Sequence, residues 1–226
     1  MNAQARYVPA AGWRLLTKLY DPVLRVTMRE RRFRGLMLGL AAADLPPGGT
    51  LLDVGCGTGT FTLAVAGARP DTRVLGADGD QEILDLAGDK EGADGIEWHR
   101  ALAGALPLPD QSVDVVTMSL MLHHLLPADK HAALVEARRV LRPAGRLHVA
   151  DWGRPRDPLM RVLFGVLRRV DGLAQTRDHA AGRLPGIIED AGFRSVQEHA
   201  RMRTSFGSLE ILSATSNVRA LGDSHG

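Results

Sequence analysis

Cysteine is almost absent from this 226-residue sequence, in which Cys56 is the single thiol. One cysteine allows no disulfide within the chain, which fits a reducing compartment, and it excludes metal sites built from several thiolates. Long apolar runs are also missing, because no stretch reaches the ~18 residues of a membrane span. The first ten residues contain no apolar segment of the secretory type. We therefore expect a cytoplasmic protein without a transmembrane segment.

Aromatic residues make up only 4% of the chain and do not alternate with its basic residues. A platform for single-stranded nucleic acid needs stacking side chains along a basic groove, so we expect no nucleic-acid partner. The net charge is +2, but basic residues crowd between Arg14 and Arg34. That stretch is either a solvated helix face or a surface that attracts an anionic substrate or a membrane. Peripheral membrane contact therefore stays open.

Strand-like and helix-like segments alternate through the middle of the chain. Apolar strands are predicted at residues 50–54, 73–77, 96–99, 113–119 and 146–150, with helices between them. This alternation predicts a doubly wound α/β sheet. Two helices are predicted before it, within residues 11–42. A helical stripe at 159–170 and an antiparallel hairpin at 193–202 and 206–215 are predicted after it.

The segment from Leu51 to Gly59 reads LLDVGCGTG and joins the first strand to a helix. Gly55, Gly57 and Gly59 stand on alternate positions, where glycine lets the backbone turn tightly and approach a ligand at a helix N-terminus. The spacing is G-x-G-x-G, whereas a dinucleotide fingerprint needs G-x-G-x-x-G. A nicotinamide-dependent oxidoreductase is therefore disfavoured.

This glycine segment resembles the first motif of class I S-adenosylmethionine-dependent methyltransferases. Further segments follow in the family's order, at residues 74–79, 100–110, 118–125 and 140–147. The Leu-His-His within 118–125 is similar to that of the type 11-like methyltransferases of ubiquinone and menaquinone biosynthesis. The resemblance implies a seven-stranded, mostly parallel sheet in the order 3-2-1-4-5-7-6, with strand seven antiparallel and a helical leader in front.

The resemblance also implies a division of the chain. Residues 1–46 would form a helical leader or lid, and residues 47–215 a Rossmann-like cofactor-binding domain. Residues 153–180 would be a helical cover over the acceptor, and residues 216–226 a frayed tail. The Leu, Val, Met and Phe content of leader and cover favours a small apolar or aromatic acceptor, and the resemblance implies methylation on carbon or oxygen. The same apolar stripes are also consistent with core packing or with a homodimer face.

S-adenosylmethionine is the cofactor that the resemblance implies. Asp78, at the end of the second strand, would accept hydrogen bonds from the ribose hydroxyls. Leu102 stands where the family has a carboxylate for the adenine amino group, so Leu102 would pack on the ring while the Ala103 N–H reaches its edge. The other predicted cofactor-binding residues are Asp53, Gly55, Cys56, Gly57, Gly59, Gly79, Ser119, Leu120 and His123.

Leu102 leaves an alternative open, namely a non-catalytic cofactor-binding or scaffold protein of the same fold. Losing one hydrogen bond costs about 0.5–1.5 kcal/mol, so this departure does not exclude cofactor binding. A nucleic-acid methyltransferase is disfavoured, because no Asn-Pro-Pro-Tyr-like tetrad follows the fourth strand.

His124 and Tyr20 are the predicted catalytic residues. A histidine with a pKa of about 6.5 can deprotonate a phenolic acceptor near neutral pH, and His124 follows the fourth strand at the edge where such folds bind ligands. Tyr20 would close over the methionyl end of the cofactor. Both members of the His123-His124 pair could instead be structural. The other histidines show no ligand-like spacing, and no metal site is predicted.

Overall fold

The computed structural model describes residues 30–216. Its strands are β1 Thr50–Val54, β2 Arg73–Asp78, β3 Ile96–Arg100, β4 Val113–Ser119, β5 Leu141–Gly153, β6 Arg194–Thr204 and β7 Gly207–Thr215. Its α-helices are α1 Glu30–Asp44, α2 Thr60–Ala68, α3 Gln81–Gly88, α4 Pro127–Val140, α5 Pro158–Asp171, α6 Arg177–Ala181 and α7 Leu184–Asp190. Short 3₁₀ turns occupy Ala93–Gly95 and Leu122–His124. None of these helices has the length and apolar character needed to cross a membrane.

The strands form one sheet in the order β3-β2-β1-β4-β5-β7-β6. Neighbours from β3 to β5 pair in parallel, and β7 runs antiparallel to both β5 and β6. The predicted sheet order and the antiparallel seventh strand are confirmed. Helical crossovers between parallel strands bring the carboxyl ends of β1, β2, β4 and β5 to one edge of the sheet, and ligands of such folds bind at that edge.

Apolar side chains fill both faces of the sheet. One cluster, which includes Leu52, Val116 and Phe193, packs against α4 and α7. The other includes Leu51, Trp152 and Phe164 and packs against α1, α2 and α5. All five residues of β1 are buried, which explains why the strand reads as a continuous apolar run with a single acidic residue.

The predicted leader is described only in part. Residues 30–44 form α1, whose Phe33, Met37 and Ala41 are buried against the sheet. Tyr20, the first predicted leader helix and residues 217–226 lie outside the described residues. The boundaries of leader, domain and tail therefore stay predictions.

The fifth strand is longer than the sequence indicated. Its pairing starts at Leu141, opposite Val113, passes an irregular register and continues to Gly153 beside β7. The apolar run marks only the middle of the strand, because backbone pairing at its two ends does not require apolar side chains. This extension carries Asp151 and Trp152 to the ligand edge within a strand instead of a loop.

Candidate functional site

The glycine turn after β1 is fixed to the end of β2. The N–H groups of Gly55 and Cys56 both donate to the Ala77 carbonyl, at 2.8 and 3.1 Å. Gly55, Gly57 and Gly59 have φ angles of 69°, 53° and 70°, which favour glycine. A Cβ on Gly55 would lie 2.8 Å from Met121, and one on Gly59 would lie 2.5 Å from the Trp98 ring. Among residues 30–216, nothing lies within 4 Å of where a Cβ on Gly57 would stand, so no described side chain covers the middle glycine.

Asp53 lies behind this turn. It is buried and accepts hydrogen bonds from the hydroxyls of Thr62 at 2.7 Å and Thr117 at 2.8 Å. Burial raises the pKa of its carboxyl to about 6, against the lowering effect of these two bonds. Asp53 thereby joins β1 to α2 and β4. Its predicted role in cofactor binding would be indirect, because it holds the elements on either side of the glycine turn.

Burial also raises the pKa of the Cys56 thiol, which leaves that group protonated and unreactive.

Asp78 connects the second predicted cofactor segment to the first. Its two carboxylate oxygens accept the N–H groups of Gly57 and Asp80, each at 3.0 Å. A carboxylate has about four acceptor positions, so lone pairs remain for a pair of hydroxyls. The Asp78 carbonyl accepts the N–H of Ala101 at 2.9 Å. This bond brings the loop with the exposed Leu102 and the half-buried Ala103 to the same edge.

Leu120, just after β4, adopts an unusual backbone conformation. Its φ is 52°, in the left-handed region that non-glycine residues rarely occupy. Its N–H donates to the Ala150 carbonyl at 2.8 Å, and Ser119 pairs with Ala150 in the sheet. The turn redirects the chain at the ligand edge into the 3₁₀ segment that carries the two adjacent histidines.

Gly79, another predicted cofactor-binding residue, is half-buried and follows Asp78 at the end of β2.

The crevice has two features that fit an anionic ligand group. The N-terminus of α2 has Gly59 as its cap and receives no side-chain capping bond from the described part of the chain, so its first N–H groups can bind a carboxylate. Arg34 of α1 pairs with Glu30 through Nη2 at 2.7 Å. Its Nε and Nη1 are buried and have no hydrogen-bond partner within residues 30–216. Its charge lowers the pKa of Asp53, which places the guanidinium near the carboxyl end of β1. The residues present therefore fit the carboxylate and ribose of S-adenosylmethionine.

His123 forms a buried dyad with Asp151. Its Nδ1 lies 2.7 Å from Asp151 Oδ1, and its backbone N–H donates to Asp151 Oδ2 at 3.3 Å. The Trp152 N–H also donates to Asp151 Oδ1 at 2.7 Å. Both side chains are almost fully buried. The 3₁₀ turn after β4 and the extended end of β5 are therefore held together through one carboxylate.

The ionised carboxylate of Asp151 determines which nitrogen of the His123 ring donates the hydrogen bond between them. Burial alone would raise the pKa of its carboxyl, but the nearby charges of His123 and His179 and the hydrogen bonds outweigh burial and lower it well below the usual range. An ionised carboxylate only accepts hydrogen bonds, so His123 Nδ1 is the donor of this bond and Nε2 is the ring nitrogen that can exchange a proton. Asp171 Oδ2 lies 3.7 Å from that Nε2, and burial raises the pKa of Asp171.

His124 occupies a different environment. Its ring centroid lies 3.9 Å from that of His123, and its side chain is exposed. The pKa of His124 is lowered to about 4. The main cause is desolvation of the part of the ring that packs against its neighbours, and the second is the charge of His123. His124 is therefore neutral near pH 7. Asp151 orients the ring of His123 and not that of His124.

The ligand atoms of His123, His124 and Asp171 all lie within 4.8 Å of one another. Two ligands at about 2.1 Å from a tetrahedral ion are about 3.4 Å apart. His123 Nε2 and Asp171 Oδ2 are 3.7 Å apart, so this pair lies close to that separation.

Four functional candidates near the site were not found from the sequence. Arg34 sits in a run of arginines, and Asp171, His179 and Lys130 lie on predicted helices or loops with no motif around them. His179 Nδ1 lies 2.6 Å from the Trp152 carbonyl. The buried Lys130 donates to the Gln175 carbonyl. The position of Asp151 directly after the predicted fifth strand does indicate a site residue, because the carboxyl ends of parallel strands meet at the ligand edge.

Comparisons with known proteins agree with this geometry. Residues 52–149 match a family model described as a methyltransferase domain, type 11. The chain is 31% identical over 206 residues to the ubiquinone/menaquinone biosynthesis C-methyltransferase UbiE of Syntrophotalea carbinolica, covering 81% of this chain and 82% of that protein. It is 32% identical over 180 residues to the malonyl-[acyl-carrier protein] O-methyltransferase of Methylococcus capsulatus, covering 78% and 63%.

A similar fold is found in the crystal structure of a SAM-dependent methyltransferase from Aquifex aeolicus. The TM-score is 0.62 at 21% identity, and the likeness covers 88% of this chain and 96% of that one. The chain spans between 39% and 82% of the lengths of the first curated relatives. The glycine turn, the position of the Asp78 carboxylate at the end of β2 and the extended match to UbiE support one conclusion. The chain belongs to the S-adenosylmethionine-dependent methyltransferase family, in its type 11 branch.

Proposed function

We propose that this protein methylates a small acceptor with an apolar or aromatic body, on oxygen or carbon, and that His123 is its general base. The observation that carries the proposal is the His123–Asp151 pair, 2.7 Å apart at the same sheet edge as the glycine turn. Relatives named as a C-methyltransferase and an O-methyltransferase support both kinds of acceptor atom. The prediction for His124 is kept as the competing assignment.

The chain's own residues provide positioning and proton transfer. When bound, S-adenosylmethionine supplies a methyl group on a sulfonium leaving group. His123 Nε2 takes the proton of the acceptor's hydroxyl or acidic C–H, while Asp151 holds Nδ1 and stabilises the positive ring. Asp171, 3.7 Å from Nε2, faces the charge that forms there. Because the dyad is buried, these electrostatic effects act with little competition from water.

Apolar and aromatic side chains surround the dyad. The ring centroids of His123 and Trp152 are 6.0 Å apart, and those of Trp152 and Phe164 are 6.2 Å apart. Phe164 and Met160 are the buried residues of α5, within the predicted acceptor cover. These contacts support an acceptor with an apolar surface and a site that excludes water.

The outer face of α5 remains exposed. Leu159, Val162, Val166 and Val170 form this face and are 55–79% exposed. It is consistent with the predicted homodimer face or with peripheral membrane contact, and both stay predictions.

Binding of S-adenosylhomocysteine tests the proposed function directly. At about 100 times its Kd the ligand is expected to stabilise the fold by about 2.7 kcal/mol, which raises the Tm by about 5–10 °C. NADH at the same concentration is expected to leave the Tm unchanged. No shift with S-adenosylhomocysteine at millimolar concentration would contradict the proposal. A screen of quinols, phenols and amines with labelled donor then identifies the acceptor.

Arg34 is expected to bind the carboxylate of the cofactor. Replacing Arg34 by Gln removes a charge-assisted hydrogen bond and is expected to weaken S-adenosylhomocysteine binding by about 10- to 100-fold. The control is Arg32→Gln, which removes an exposed charge from the same helix. Calorimetric titration measures both. Equal affinities for the two variants would show that Arg34 does not reach the ligand.

A further inference from the structure

A recess with basic walls opens beside the dyad. Its volume is about 350 Å³, and its lining includes Arg154, Arg156, Arg161, Arg201 and Glu210. Four guanidinium groups therefore surround one carboxylate. The recess lies between the end of β5, the start of α5, the end of α6 and the adjoining parts of β6 and β7.

One of the four arginines is locked in place. Arg201 Nη2 lies 2.7 Å from Glu198 and 2.6 Å from Glu210, and its Nη1 donates to the Arg154 carbonyl at 3.3 Å. Glu210 is 1% exposed, and burial raises its pKa. Two carboxylates thus compensate the charge of Arg201, which forms a rigid floor for the recess.

The other three arginines are compensated less than Arg201, although the charge of Arg156 acts to lower the pKa values of Glu198 and Glu210. Within residues 30–216, the side chains of Arg154, Arg156 and Arg161 form no ion pair, and all three residues are exposed. Like charges around one recess repel each other, although water and salt weaken the effect. A ligand with negative oxygens would remove this repulsion and match the planar, forked donors of guanidinium groups.

The recess and the dyad share the same structural elements. Asp151 and Glu210 are paired across β5 and β7, so the dyad's carboxylate and the recess floor are neighbours in the sheet. Helix α6 carries His179, whose Nδ1 lies 2.6 Å from the Trp152 carbonyl. The helix ends at Ala181, which lines the recess together with Gly182. An acceptor whose reacting atom is at His123 would reach the recess by extending along this edge of the sheet.

We propose that this recess binds an oxyanionic group, a carboxylate or a phosphate, carried by the methyl acceptor. The acceptor then has an apolar or aromatic body with a negative group at the end away from the reacting atom. The role of the ligand as acceptor rests on the proposed function, but the oxyanion site itself does not. The recess thereby selects among acceptors of similar shape by their charge.

Inorganic phosphate and pyrophosphate are the probes for the site. Calorimetric titration at low ionic strength, with chloride as the reference anion, is expected to show binding to the wild-type protein. Arg156→Gln and Arg161→Gln are each expected to weaken pyrophosphate binding by about tenfold. The control is Arg194→Gln, which removes an exposed charge at the opposite end of β6. An equal loss in all three variants, or no binding, overturns the site.

Two further measurements separate this inference from the proposed function. With 4-hydroxybenzoate and phenol as paired acceptors, Arg161→Gln is expected to raise KM for the anionic acceptor alone. Phosphate binding without that discrimination overturns the acceptor assignment and identifies a site for a free anion. S-adenosylhomocysteine titration of the same variants is expected to be unchanged. Failure of the wild type to bind S-adenosylhomocysteine contradicts the proposed function, while the phosphate result still decides the recess.

Discussion

Replacing His123 by Asn is expected to lower kcat by about 10²- to 10⁴-fold, because the variant keeps a side chain of similar polarity but has no lone pair of suitable basicity. S-adenosylhomocysteine binding is expected to stay within a few-fold of the wild type. The measurement is steady-state kinetics with the acceptor found in the screen.

His124→Asn is the matched control for this experiment. The two rings are adjacent in the chain and 3.9 Å apart, but only His123 is bonded to Asp151. The control is expected to change kcat by less than about tenfold. A larger loss in His124→Asn than in His123→Asn would transfer the base to His124, as the sequence predicted. Asp151→Asn is expected to resemble His123→Asn, because an amide can hold the wrong tautomer of the ring.

Replacing Lys130 by Met is expected to destabilise the fold by about 3 kcal/mol. Lys130 is fully buried on α4, donates to the Gln175 carbonyl and lies 3.7 Å from Asp178. Methionine of similar length leaves that carbonyl and that carboxylate without their partner. For a chain of this size the Tm is expected to fall by about 10 °C, and thermal unfolding followed by circular dichroism measures the change.

Lys90→Met serves as the reference for Lys130→Met. Lys90 donates to the Thr58 carbonyl at 2.6 Å, but in an exposed setting. Exposed interactions of charged side chains contribute about 0–1 kcal/mol, so its Tm is expected to fall by no more than about 3 °C. If both variants lose the same stability, burial of Lys130 has no special energetic role and the expectation is wrong.

Much of the fold could be predicted from the sequence because each strand carries its own local signal. The continuous apolar run of β4 and the alternation of strands with helices follow from burial on both sheet faces. The Asp78 position followed from the topology, and the structure brings it to Gly57 through a 3.0 Å hydrogen bond. These signals depend on neighbouring residues in the chain, and a single sequence displays them.

The dyad's surroundings could not be predicted in the same way. Asp171 and His179 reach the dyad from α5 and α6, and their positions depend on how these helices pack over the end of β5. The left-handed turn at Leu120 directs both histidines, yet leucine gives no sign of a positive φ. Two adjacent histidines look equivalent in a sequence, and only the geometry shows that Asp151 bonds to one of them.

The indole of Trp98 has a further consequence for the glycine motif. Its ring also lies 2.5 Å from where a Cβ on Gly76 would stand, as it does for Gly59. The third glycine of the loop is thus tied to a bulky partner on β3, independently of any nucleoside. During divergence, a side chain could arise at either glycine only alongside a smaller residue at 98. The glycine at position 59 is therefore required in part by packing against Trp98 and not only by a bound ligand.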